Sequence, residues 1–176
     1  FNESLNSWNV FNVTTMNRMF DGAISFNTPL DRWNVSNVKF MGLMFCDARN
    51  FNQPIGSWNV ANVCSMMSMF AYASNFNQPI GKWNVSKVKS MQEMFYHATK
   101  FNQFIGNWDV SNVTTMTKMF SFAKRYNKPM NAWNTSSLQN MTEMFSHAKS
   151  FNQPLNHLKV DLIESMANVF DNASSF

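Results

Sequence analysis

The chain has 176 residues, 45% of them hydrophobic and 15% aromatic, with only 5 glycines and a formal net charge of +4. That composition excludes a disordered or low-complexity chain. No apolar run approaches the roughly 18 residues that a membrane-spanning helix needs, and two cysteines are too few for a disulfide framework.

From Phe1 onward an aromatic residue returns every 25 positions, at Phe26, Phe51, Phe76, Phe101, Tyr126, Phe151 and Phe176. Seven units therefore begin at residues 1, 26, 51, 76, 101, 126 and 151. Self-similarity at such a period marks a stacked repeat. With no linker or break in composition, residues 1–176 read as one solenoid domain, a segment of a longer array.

Within a unit, positions are numbered 1 to 25. Position 2 is always Asn, position 5 aliphatic or Met, and position 8 Trp until Leu158 replaces it. The spacing Ile80-x-x-Trp83-x-Val85-x-x-Val88 matches a leucine-rich-repeat strand. Trp83 and Val85, two apart, would share one face of it. Pro79 fits the start of such a strand. The second half changes period. Val88, Met91, Met94, Phe95 and Ala98 fall on one face of a short helix, with Thr15, Ser65, Ser90, Thr115, Asn140 or Ser165 as its N-cap. Ser90 and Glu93 have capping-box spacing. The fold class expected is thus an α/β repeat solenoid, leucine-rich-repeat-like, in which each coil carries a short parallel strand and a short helix. Stacking would align Trp and Phe in internal columns and the position-2 Asn residues in a buried amide ladder.

Candidate chemistry is sparse. Met-x-x-Met pairs could offer thioethers to Cu(I), but without His or Cys beside them they read as a buried face. His97 and His147 share position 22 two units apart, too far to hold one metal together. The carboxylates form no acid–base pair, and no nucleophile set or phosphate loop is present. No enzyme, metal or cofactor is expected. Cys46 and Cys64 occupy different positions and should not pair. Sequons such as Asn12, Asn112 and Asn140 recur because Asn is abundant beside Ser and Thr.

The expected contact surface is the outward strand face: Arg32, Asn34 and Ser36; Lys82, Asn84 and Ser86; Asn107, Asp109 and Ser111. Such a column can bond sugar hydroxyls or a partner's backbone, or form a plain soluble face. A basic edge of Arg49, Lys100, Lys124, Arg125 and Lys149 follows the helix. It reads as a solvated edge or as a strip for polyanions such as acidic glycans or nucleic acid. No nucleic-acid motif accompanies it, and nucleic acid is not an expected partner.

The recurring FNxP, WNVSNV and MFxxA segments, over all 176 residues, resemble the BspA-like leucine-rich-repeat surface proteins. Phe104 in place of Pro, Thr135-Ser136-Ser137 and the last unit depart from that pattern. The resemblance implies an extracellular or cell-surface protein and adhesion to a protein or glycan, without catalytic residues. The alternative is a structural building block or spacer in a shell, wall or filament, touching neighbouring subunits.

Overall fold

A computed structural model describes residues 2–176, so the position-1 aromatic of the first unit, Phe1, lies outside the described residues. The chain winds into stacked coils of 25 residues, and hydrogen bonds join each coil to the next at that separation. Among the described residues there is no helix, and strand pairing is confined to single parallel bridges. These link Thr15, Phe40, Ser65, Ser90, Thr115, Asn140 and Ser165 in succession.

The α/β expectation is therefore overturned. Coil 4 shows why. The N–H of Met94 donates to the Met91 carbonyl (3.2 Å), Tyr96 to Glu93 (3.0 Å) and Ala98 to Phe95 (3.0 Å), each a three-residue turn and none a helical bond. The alternate N–H groups leave the coil. Those of Glu93, Phe95 and His97 donate to Thr117, Met119 and Ser121 of coil 5 at 2.8, 3.0 and 2.9 Å. Positions 18 and 22 are left-handed throughout, with φ 56° at both Glu93 and His97. A right-handed helix cannot pass through such residues. Turns set three residues apart return side chains to the same side, which is why the apolar spacing imitated a helix.

Of the expected N-caps, Ser90, Thr115 and Asn140 do bind backbone, but in turns. Asn140 Oδ1 accepts the Thr142 N–H at 2.9 Å. Glu93 does not reach back to Ser90; its carboxylate accepts the Ser68 hydroxyl of the preceding coil at 3.3 Å. The supposed strand is also a pair of turns, Trp83 N–H to Ile80 and Val88 N–H to Val85, at 3.1 and 2.9 Å. The leucine-rich-repeat spacing is present without the leucine-rich-repeat backbone.

The core forms columns. Phe70, Phe95 and Phe120 stack at 5.8 and 5.6 Å, and Phe76, Phe101 and Tyr126 at 6.0 and 5.9 Å. Each buried Trp indole donates to the position-5 carbonyl of the preceding coil, as Trp83 does to Ile55 at 3.1 Å. In the last coil Leu158 lacks that N–H. The ring Nε2 of His157, one residue earlier, takes its place against the Met130 carbonyl at 3.0 Å. A carbonyl only accepts, so this Nε2 carries the proton.

The position-2 Asn ladder exists but is half-buried to exposed, not buried. Each Oδ1 accepts the N–H of the next Asn, as Asn77 does from Asn102 at 2.9 Å. Tyr126 is the column's polar anomaly. Its hydroxyl is buried with no partner among the described residues, and burial drives its pKa upward. Removing an unsatisfied buried hydroxyl relieves about 1–3 kcal/mol. Tyr126→Phe, which restores the residue of neighbouring coils, should accordingly raise the urea midpoint. An unchanged or lower midpoint would show that the hydroxyl is satisfied.

Candidate functional site

Two grooves lie side by side along one edge of the stack, at positions 25 to 7. The larger, of about 620 Å³, runs across coils 2–5. Pro54, Pro79 and Phe104, all at position 4, supply its apolar surface, and Asp31, Ser57, Lys82, Gln103 and Asn107 its polar groups. Phe104 is 45% exposed. Its ring lies over Gly106, 2.7 Å from where a Cβ would stand, so any larger residue there would lift it.

The second groove, of about 400 Å³, is lined by Asn at positions 25 and 2 and by Lys100 and Arg125. The Lys100 ammonium donates to Asn75 Oδ1 at 2.6 Å, and Asn75 Nδ2 donates to Asn50 Oδ1 at 3.3 Å. Gln53, Gln78 and Gln103 strap the coils by donating to the main-chain carbonyls of Asn27, Asn52 and Asn77 at 2.9, 2.9 and 3.0 Å.

The structure divides the residues expected on the strand face, since there is no strand to hold them together. Lys82 and Asn107 line the larger groove, whereas Arg32 is exposed outside it. Asn34, Asn84 and Asp109 close local turns, each Oδ1 accepting the N–H of Ser36, Ser86 or Ser111 at 3.2, 3.1 and 3.1 Å. Asp109 also accepts the Ser111 hydroxyl at 2.6 Å. These two bonds hold its carboxyl below the usual range. The basic edge is divided as well. Lys100 and Arg125 enter the second groove, Arg49 pairs with Asp47 at 2.7 Å, and Lys149 is exposed. Lys124 acts on His97, whose pKa it helps to lower.

Sequence reasoning singled out neither Asn50 nor Asn75, and noted Phe104 only as a departure from Pro. An aromatic in place of a turn proline was the available signal.

A third feature is a surface column of rings at position 22. Tyr72, His97, Phe122 and His147 stack at 4.9, 4.2 and 4.2 Å. Desolvation, then the charges of Lys124 and His147, lower the His97 pKa below 6.5. Folded His97 therefore binds its proton less readily than unfolded His97. The contribution of His97 to stability is full above pH 6.5 and falls as pH drops through that value toward the folded pKa. Chemical denaturation from pH 7.5 to 5 should show that decline, and His97→Gln should flatten it. An equally steep decline in the variant would exclude His97 as the source.

Among the described residues no group of three or more His, Cys, Asp or Glu could hold a metal ion. Cys46 and Cys64 are free, and burial, followed by Asp21 and Asp47, pushes the Cys46 thiol up to about 11. No helix among the described residues is long and apolar enough to cross a membrane.

The geometry defines a tandem-repeat protein of turn-built coils with a grooved edge. The chain belongs to the family described as "Mycoplasma protein of unknown function, DUF285", which matches residues 1–81 and again 64–176. No curated protein and no solved structure matches the chain significantly.

Proposed function

We propose that the protein is a non-catalytic recognition module that binds a glycan in the larger groove. Display at a cell or particle surface, as the BspA-like resemblance implies, belongs to the same reading. The observation that carries it is Phe104. A bare aromatic ring matches the apolar C–H face of a sugar. Here it sits in a concave site with Lys82, Gln103 and Asn107 placed to meet hydroxyls. This shifts the contact surface from the turn face at positions 9 and 11, where the position-9 oxygen accepts the position-11 N–H, to the neighbouring edge.

A glycan array followed by titration tests it. Phe104→Ala should weaken binding about tenfold or more, about 1.4 kcal/mol, without lowering thermal stability. Unaltered binding in that variant would overturn the site. A blank array with stoichiometric cross-links to other subunits would replace the reading with the building block.

A further inference from the structure

We infer that the second groove is an anion subsite and that the ligand is an acidic glycan bearing carboxylate or sulfate groups along its length. The inference rests on the glycan reading and adds the chemical class.

It follows from which hydrogen-bonding atoms the groove has left. The Asn side-chain oxygens at position 2 are engaged by the next coil. Asn27 Oδ1 accepts both the Asn52 N–H and the Gln53 amide, at 2.9 and 3.1 Å. Asn77 Oδ1 does the same with Asn102 and Gln103, at 2.9 and 3.0 Å. An amide oxygen has two lone pairs, so both are used. The backbone N–H fixes which atom is oxygen, because only oxygen can accept it. The main-chain carbonyls of Asn27, Asn52 and Asn77 are taken by the three Gln straps. At position 25, Asn50 Oδ1 and Asn75 Oδ1 each accept one bond, from Asn75 and Lys100, and each keeps one lone pair, as does Asn52 Oδ1, which accepts only the Asn77 N–H.

What remains is mainly a set of donors. Among the described residues, the Nδ2 groups of Asn27, Asn50, Asn52 and Asn77, the other protons of Lys100 and the guanidinium of Arg125 have no acceptor. No carboxylate lines the groove, and Lys100 and Arg125 make no ion pair among the described residues. A surface of donors with two cations selects a partner that only accepts. Carboxylate and sulfate do so, and a neutral sugar hydroxyl, which must also donate, does so less well. Nucleic acid is disfavoured because no aromatic side chain lines this groove to stack on a base.

The probes are polygalacturonate, the same polymer with its carboxyl groups reduced, and single-stranded DNA, at one ionic strength. Polygalacturonate should bind about tenfold or more tightly than the reduced polymer. Lys100→Ala/Arg125→Ala should abolish that preference while leaving weaker binding of the reduced polymer intact. Both side chains are exposed, so the fold should survive, and thermal stability checks this. Nitrogen-15 spectra should show the Asn27, Asn52 and Asn77 side-chain amides shifting with galacturonate and not with galactose. Equal binding of the two polymers would overturn the anion subsite and leave the glycan reading standing. Equal binding of DNA, or a preference that survives the double variant, would also overturn it. If neither polymer binds, the subsite fails as well, and the array separately decides whether the glycan reading fails with it.

Discussion

Phe95→Ala should lower the unfolding free energy by about 3–5 kcal/mol, the largest loss expected of any single truncation considered. Phe95 is fully buried and stacks within 3.9 Å of Phe101, 5.6 Å of Phe120 and 5.8 Å of Phe70. It also faces Trp108 at 6.4 Å. Removing its ring opens a cavity in the middle of a column, where rings above and below are held by hydrogen bonds between coils and cannot close the gap. Urea denaturation of Phe95→Ala and Trp8→Ala provides the comparison. Trp8 is 53% exposed, and its loss should cost less than about 1 kcal/mol. Similar losses at the two sites would mean that the columns do not dominate stability.

Gly81→Ala should destabilise by about 1–3 kcal/mol, although it adds only a methyl group at the surface. A Cβ there would fall well inside the contact distance of the Phe104 carbonyl oxygen. That oxygen is backbone, so the coils themselves must part. Gly56 and Gly106 stand in the same relation to the carbonyls of Pro79 and Pro129. Coils 1 and 2 carry Asn6 and Asp31 at this position and join through an Asn6 Nδ2 to Asp31 Oδ1 bond of 3.0 Å, so the close approach belongs to coils 3–6. A urea midpoint for Gly81→Ala equal to that of the parent would show that the coils are not so close. Because Gly81 also lines the larger groove, the variant should disturb the proposed sugar binding together with stability.

Much of this architecture can be read in the amino-acid order. The period, the inward Trp and Phe columns and the Asn ladder follow from repetition alone, because stacking places like on like. The path of the backbone between those residues was not legible. Val88, Met91, Met94, Phe95 and Ala98 have the same spacing in a helix and in successive turns. The deciding conformations fall on Glu93 and His97, whose side chains give no sign of positive φ as glycine would. The site was half legible. Lys82, Asn107, Lys100 and Arg125 were singled out, but on a strand face and a helix edge that do not exist. Asn50 and Asn75 were hidden because Asn is common throughout the unit. Phe104 could have been found by asking why one coil exchanges a turn proline for a ring.

The left-handed residues also govern how such a chain can come to be folded. Among the described residues thirteen non-glycines have φ of 53–59°, a conformation that costs an L-amino acid about 1–2 kcal/mol. A lone unit such as Phe76–Lys100 has no internal reason to adopt it, since the N–H groups of Glu93, Phe95 and His97 find their acceptors only in the following coil. The shape of each coil is impressed on it by its neighbour. A free peptide of one unit should be unstructured. Folding must begin with a small seed of adjacent coils and then advance along the chain, each finished coil serving as the template on which the next is laid.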